Sequence, residues 1–191
     1  METREVKVFQ YDELSERAQD KARYWYAESI SVDLESTLDD IKGLAALFGL
    51  TIERVNYSIG DHGSFYACKG SYTYRKGALA AVRKEVPQDK ELHGIVSDLQ
   101  TIQKRHFYSL SASLSIARYS NSTNVDNADC NGRFADVSDA TLDEMQEIFH
   151  AFSNWAKSLL TADYEDQTSA ETMAEDIRCN KYTFLENGER F

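Results

Sequence analysis

The amino-acid sequence predicts an α+β fold: an antiparallel sheet of about four to five strands with helices packed on one face. Two segments alternate their side chains with a period of two, as strands do, and each lies beside a turn-forming sequence. Stretches with apolar residues at helical spacing run before, between and after them. The order along the chain is therefore strand, helices, hairpin, helices, hairpin, helices, which is typical of the α+β class.

The N-terminal quarter of the chain predicts a short strand and two helices. The stretch REVKVFQY (residues 4–11) favours a strand, and Asp12 is expected to cap the helix that follows it. A second helix is expected after Asp33, because apolar residues recur at helical spacing as far as Phe48. Gly49 is a suitable C-terminal stop for that helix.

The first hairpin is predicted from two β-like tracts, TIERVNYSI (51–59) and SFYACKGSYTY (64–74), which a glycine-containing loop joins. Both faces of the second tract are mixed in polarity, so the sequence leaves open which face is buried. A short helix in RKGALAAVRKEV follows, and Pro87 separates it from a longer amphipathic helix.

The clearest strand is FYSLSASLSIARY (107–119), in which serines alternate with apolar residues. Such alternation places one face against a core and the other toward water or a ligand. Asn121 and Ser122 are expected to turn the chain into a return strand.

The C-terminal part predicts one long helix, one short helix and a last strand-like piece. Ser138 is expected to begin the longest helix. Thr168 and Glu171 fit a capping box that would open the short one. The strand-like piece is expected near Tyr182.

Length and composition favour one globular domain over residues 1–191 with a sizeable core. No apolar run approaches the ~20 residues of a membrane span, and the N-terminus has no signal-peptide core. We therefore expect a cytoplasmic protein with no membrane partner. Cys68, Cys130 and Cys179 lie outside any CxxC pattern, which favours reduced thiols over a disulfide framework.

The charge of this acidic chain is distributed unevenly. Residues 1–40 hold 11 acidic and 5 basic side chains, and residues 136–176 hold 11 acidic side chains and one basic one. Residues 41–135 reverse this, with 12 basic and 8 acidic side chains. Acidic segments repel nucleic acid phosphates, so the sequence disfavours a nucleic-acid partner. The acidic segments serve either for solubility together with attraction between the acidic and basic parts of the fold, or for docking on a basic partner.

No sequence signature of an enzyme is present. The chain has no phosphate-binding loop, dinucleotide fingerprint, zinc-protease motif or nucleophile elbow. Its four histidines show no ligand spacing with one another or with the cysteines. The sequence therefore predicts no cofactor and no metal, and it favours a non-enzymatic protein.

Three motifs together resemble a family of small proteins from tailed bacteriophages and prophages, often labelled antitoxins of a toxin–antitoxin stability system. The first is FQYDELSERAQDKARYWY, and the third is IRCNKYTFLENGERF. The second is GDHGSFYACKGSYTYRKGALAAV, followed by PQDKELHGIVSDLQTIQKRHFYSLSA. The resemblance implies a phage accessory protein that inhibits or regulates a host protein in the host cytoplasm, with anti-defence or antitoxin-like action.

The preferred hypothesis is that acidic helix faces bind a basic surface of an unidentified host protein. The candidate partner-binding residues are Asp139, Asp143, Glu144 and Glu147 in the long helix, and Asp39 and Asp40 in the second helix. The sequence leaves the target and the oligomeric state open.

The alternative is a module or sponge that binds a small anionic metabolite, such as a signalling nucleotide, on the sheet face around Gly70. A glycine inside a strand often marks a bulge or the close approach of another chain or ligand. The candidate residues are Asp61, His62, Lys69, Gly70, Ser71, Tyr72, Ser111 and Ser113. The Asp61-His62 pair fits an ordinary turn, and a catalytic role for it would require a substrate within hydrogen-bond reach.

Overall fold

The structure, a computed structural model, describes residues 5–60, 63–117, 121–128, 134–135 and 137–191. The helices in these ranges are α1 (Glu16–Ser29), α2 (Glu35–Leu47), α3 (Ala78–Glu85), α4 (Lys90–Arg105), α5 (Asp139–Gln167) and α6 (Ala170–Cys179). The strands are β1 (Phe9–Gln10), β2 (Leu50–Ser58), β3 (Phe65–Thr73), β4 (Leu110–Ile116), β5 (Asn121–Ala128), β6 (Phe134–Ala135) and β7 (Thr183–Phe184).

Strands β2 to β6 form one antiparallel sheet, and neighbours in the sequence are neighbours in the sheet. The two tracts of the first predicted hairpin are its β2 and β3, and the serine-alternating tract contains β4, which pairs with β3. A separate two-stranded antiparallel sheet pairs β1 with β7. The predicted α+β class with an antiparallel sheet is therefore confirmed.

Helices cover one face of the five-stranded sheet. The apolar residues of β4 are buried, whereas Ser113 on the other face is exposed, as the alternation predicts. The ring of Tyr66 in β3 lies edge-on to Phe152 of α5 at 6.4 Å between centroids, and Tyr72 lies 5.6 Å from Phe149. The buried side of α5 thus packs on the face of β3 that carries the two tyrosines, so this face belongs to the core. The sequence alone leaves open which face of β3 is buried.

Gly70 is required by the packing of two backbones. A Cβ atom at this position would lie 2.1 Å from the carbonyl oxygen of Thr51 in β2, far inside contact distance. The register between β2 and β3 shifts between Ile52 and Arg54, directly beside it. The glycine therefore marks a bulge with a close approach of the neighbouring strand.

The chain divides into two compact units, residues 1–33 with 162–191 and residues 34–161. The prediction of a single domain over residues 1–191 stays a prediction. The second unit contains the five-stranded sheet with α2, α3, α4 and most of α5.

In the first unit, α1 packs with α6, and their small and apolar faces meet the strand pair β1–β7. Trp25 lies edge-on to Tyr182 and Phe184, at 5.3 and 5.8 Å between centroids. The buried residues of this core are Tyr11, Leu14, Ala18, Ala22, Tyr26, Ala174, Ile177 and Phe184.

Three predictions about cap and turn residues were wrong. Asp12 lies in a short 3₁₀ turn and bonds to Arg178, while Ser15 is the residue that precedes α1. Asn121 does not turn the chain, because it already pairs with Ile116 as the first residue of β5. Ser169, one residue after the predicted Thr168, caps α6: its hydroxyl accepts the backbone N–H of Thr172 at 3.1 Å.

No helix among the described residues has the length and apolar character of a membrane span.

Candidate functional site

The predicted acidic residues of α5 form a stripe along the exposed side of that helix. Asp139, Asp143 and Glu147 follow one another at intervals of four residues, so their side chains lie on one face. All three are exposed, and within the described part of the chain none forms an ion pair. Like charges at this spacing cost a helix a few tenths of a kcal/mol per pair. We call these three residues the acidic stripe.

Glu144 differs from the acidic stripe, because it is engaged by Arg105 at the end of α4. The two terminal guanidinium nitrogens of Arg105 donate to the two carboxylate oxygens of Glu144, the longer bond measuring 3.2 Å. This hydrogen bond lowers the pKa of the Glu144 carboxyl and raises the pKa of Arg105. A bidentate pair ties α4 to α5, so Glu144 has a structural role beside any partner-binding one.

A groove of about 230 Å³ lies between α4 and α5 beside this ion pair. Its lining includes the carboxylates of Asp98 and Glu147 in addition to the paired Arg105 and Glu144. Ile102 and Ile148 contribute apolar surface. Such a lining suits a side chain with an apolar stem and a cationic end, as lysine and arginine have.

Asp39 and Asp40 line a second acidic groove, of about 490 Å³, beside α2. Asp39 forms an exposed ion pair with Lys42 at 2.9 Å, a kind of contact that contributes little to stability. Glu85 at the end of α3 supplies a third carboxylate, and the apolar lining comes from Leu44, Leu47 and Val86. Asp39 and Asp40 therefore line one groove with aliphatic walls, and Glu144 and Glu147 of the α5 set line the other. Asp139 and Asp143 line neither of them.

The residues of the predicted ligand site separate onto two faces of the sheet. Lys69, Ser71, Ser111 and Ser113 lie on the open face, where Lys69 and Ser113 are exposed. Tyr72 and Gly70 lie on the opposite, helix-covered face, and both are buried. Their assignment to a shared ligand surface is therefore corrected, because side chains alternate along a strand. Asp61 and His62 lie outside the described residues.

A shallow depression of about 170 Å³ remains on the open face around Lys69. Arg54 pairs with Lys69 across β2 and β3, and Ser115 of β4 lies opposite Lys69 on the other side. This volume is smaller than the roughly 300–1,000 Å³ of typical small-molecule pockets. Arg54 is a member of this basic group that the sequence reasoning missed, since only the strand register brings it beside Lys69.

Two tyrosines that alternate in the sequence with basic residues, a pattern also found on surfaces that bind nucleic acid, are buried in the core. Tyr66 and Tyr72 are interleaved in the sequence with basic residues, but both rings are buried against α5. Burial also raises the pKa of Tyr72 to about 12, despite a hydrogen bond with Gln103 that lowers it. These rings cannot act as stacking platforms for bases.

The turn between α4 and β4 carries two exposed aromatic residues that the sequence reasoning missed. Phe107 and Tyr108 were expected to begin a strand, yet both have left-handed backbone conformations, with φ of +53° and +63°. Phe107 is 91% exposed. Two features of the sequence could have indicated this turn: α4 must end before Leu110, and no glycine is present there to end it.

No three histidine, cysteine, aspartate or glutamate side chains among the residues described lie close enough together to hold a metal ion.

Comparison with known families finds one match. The family model described as "Domain of unknown function (DUF8835)" matches residues 34–170. No curated protein and no solved structure matches the chain.

Proposed function

We propose that this chain, which belongs to the DUF8835 family (a domain of unknown function), is a non-enzymatic interaction protein. It binds a basic surface of a host protein and thereby inhibits or regulates that protein. Its phage origin and antitoxin-like or anti-defence role are parts of the same proposal and come from the sequence resemblance.

One observation carries this proposal: exposed carboxylates stand beside aliphatic walls in both acidic grooves. The carboxylates of the acidic stripe repel one another at this spacing, and none of them forms an ion pair with a basic side chain of the described residues. A partner that brings lysine or arginine to this face would remove that repulsion and gain Coulomb attraction. The aliphatic walls would add buried apolar area, which supplies affinity that charge alone does not.

The experiment is affinity capture from host lysate with purified protein and a matched pair of variants. The test variant is Asp143→Lys with Glu147→Lys, in the acidic stripe. The control is Glu53→Lys with Glu91→Lys, which makes the same change in net charge at exposed positions of the same unit. We expect the wild-type chain to retain a host protein. The control variant should retain the same host protein, and the test variant should not.

The retention should also weaken with salt. Raising the ionic strength from about 0.05 M to about 0.5 M shortens the Debye length severalfold, so an association steered by charge must slow and loosen. Equal retention by both variants, or capture that salt does not affect, would contradict the proposal. Circular dichroism of each variant verifies that the fold is kept.

A second candidate function, binding of a small anion, is favoured by the juxtaposition of Arg54, Lys69 and Ser115 on the open face. Two cationic groups with a hydroxyl are suited to a phosphate group. Thermal shift against a panel of nucleotides tests it: a saturable rise in melting temperature, lost in Lys69→Ala but kept in Lys90→Ala, is the expected result. A panel without any saturable shift would exclude this function.

A further inference from the structure

Phe107 is the most exposed of the large hydrophobic residues that the structure describes, with 91% of its surface open to solvent. It lies in the turn between α4 and β4, and the ring of the next residue, Tyr108, packs on Tyr74 at 4.6 Å between centroids. A single exposed apolar side chain is common on protein surfaces, so exposure alone indicates no function. Phe107 is distinguished by the backbone conformation that presents it.

The backbone at Phe107 ends α4 in a way that glycine would suit better. The N–H of Tyr108 donates to the carbonyl of Gln103 at 2.7 Å, and the N–H of Phe107 donates to that of Lys104 at 3.4 Å. This pattern places a left-handed residue, usually glycine, at the position that Phe107 occupies with a φ of +53°. The backbone therefore disfavours phenylalanine here, and an almost fully exposed ring gains little from packing within its own chain.

The two charged residues that precede Phe107 in the chain are both basic. Arg105 is engaged, because its terminal nitrogens donate to the carboxylate of Glu144. Lys104 is exposed and forms no ion pair with a described residue. The projecting ring thus has an uncompensated positive charge close to it in the chain. It suits a partner surface that combines an apolar cavity with carboxylates.

The groove of about 230 Å³ between α4 and α5 is a surface of this kind on the chain itself. Ile102 and Ile148 contribute its apolar lining. Asp98 and Glu147 contribute carboxylates, and neither forms an ion pair with a described residue. The volume is below the roughly 300–1,000 Å³ of small-molecule pockets, so the groove suits a single inserted side chain.

The projecting ring and the groove lie close together on the surface. Arg105 lines the groove and precedes Phe107 by only two residues. The exposure of Phe107 shows that its ring does not fill the groove of its own chain. A two-fold symmetric pair uses the same patch of both copies, so it requires a projecting group and its cavity to be neighbours.

We propose that the chain pairs with a second copy of itself, and that Phe107 of each copy enters the α4–α5 groove of the other. Lys104 of each copy faces the carboxylates of Asp98 and Glu147 across the interface. The ring and the isoleucine side chains lose their contact with water, which supplies the apolar part of the affinity. This pairing concerns the purified chain alone and does not depend on the proposed function.

Sedimentation of the purified full-length protein, from micromolar to near-millimolar concentration, measures the pairing. We expect the mass to rise from that of one chain toward that of two. Phe107→Gly should raise the dissociation constant about tenfold or more, because the ring is the group that enters the groove. Glycine suits the backbone of residue 107, so the melting temperature of this variant should equal or exceed that of the wild type. A loss of pairing then does not reflect unfolding.

Charge reversal tests which side chains meet across the interface. Lys104→Glu and Glu147→Lys should each weaken the pairing, and an equimolar mixture of the two variants should restore it, since each reversed residue then faces an opposite charge. Lys90→Glu makes the same charge change at another exposed position of α4 and should alter the pairing little. General repulsion between acidic copies predicts the opposite for Glu147→Lys, which lowers the net negative charge and would tighten the pairing.

Four results would overturn the pair. They are a wild type that stays a single chain at every concentration, a Phe107→Gly variant that pairs as well as the wild type, a mixture that does not restore pairing, and association beyond two copies.

The pair and the proposed function fail separately. Glu147 belongs to both surfaces, whereas Phe107 belongs only to the pairing surface. A single-chain wild type that captures a host protein would overturn the pair and leave the proposed function standing. A wild type that pairs through Phe107 but captures no host protein would support the pair and contradict the proposed function.

Discussion

Gln103 in α4 satisfies both backbone groups of Leu110 at the start of β4. Its side-chain nitrogen donates to the Leu110 carbonyl at 2.8 Å, and its side-chain oxygen accepts the Leu110 N–H at 3.2 Å. The amide is fully buried, so neither backbone group exchanges its partner for water. This single side chain therefore connects the end of a helix to the beginning of a strand and holds the turn that presents Phe107.

Replacing Gln103 by leucine should lower the free energy of unfolding by about 2–4 kcal/mol, because two buried backbone groups lose their partners. The matched control is Gln100→Leu, at an exposed position of the same helix, which should change stability by less than about 0.5 kcal/mol. Chemical denaturation measures both. Equal effects of the two substitutions would show that the Gln103 hydrogen bonds are not responsible.

Two glycines of the second unit differ in the space around them, so that replacing them by alanine should change stability in opposite directions. Gly70→Ala should destabilise by about 2 kcal/mol or more, because its Cβ would collide with the carbonyl oxygen of Thr51. Gly94→Ala should stabilise by about 0.5–1 kcal/mol, since it lies inside α4 with nothing within 4 Å of the added atom. Thermal melts of the two variants decide this. A Gly70→Ala protein as stable as the wild type would contradict the close approach of β2.

The hydroxyl of Tyr66 is buried without a hydrogen-bond partner among the described residues. Burial raises the pKa of this tyrosine well above its usual 10. Tyr66→Phe should therefore leave stability unchanged or raise it by up to about 1 kcal/mol. Tyr72→Phe is the control and should destabilise by about 1 kcal/mol, because it loses the hydrogen bond with Gln103. A clear loss of stability in Tyr66→Phe would reveal a partner for its hydroxyl.

Cys68 and Cys179 should differ sharply in reactivity. Burial raises the pKa of Cys68 to about 12, whereas Cys179 is exposed. In a Cys130→Ser background at pH 8, a disulfide reagent should label one thiol quickly and the other only after unfolding. Cys179→Ser should remove the fast reaction. Two fast thiols in the folded protein would contradict the burial of Cys68.

The same burial predicts the direction of a pH effect. The pKa of Cys68 is higher in the folded chain than its ordinary value of 9.0, so deprotonation favours the unfolded chain. Its contribution to stability is complete below about pH 9 and is lost as the pH rises toward 12. Cys68→Ala should weaken the alkaline dependence, leaving the part that the buried Tyr66 and Tyr72 contribute, and should leave the dependence below pH 9 unchanged, as denaturation at a series of pH values would show.

The sequence alone determined the helices and strands in which one face is apolar and the other polar. In β4 the alternation of serine and apolar residues states which side is buried, because a strand directs successive side chains to opposite faces. The stripes of α4 and α5 are equally clear, since their apolar residues recur at the helical period. The class and the antiparallel sheet follow from these patterns and their order.

Tertiary structure alone decided the buried face of β3 and the reason for Gly70. Both faces of β3 are mixed, so only the packing of α5 selects the one that carries Tyr66 and Tyr72. Gly70 is needed because of a backbone that is distant in sequence. The sequence predicts Phe107 in a strand, whereas in the structure it has a left-handed backbone conformation, in a turn where the N–H of Tyr108 donates to the carbonyl of Gln103. For β3 and Gly70 the deciding contact joins segments that are distant in the sequence, which no local pattern connects.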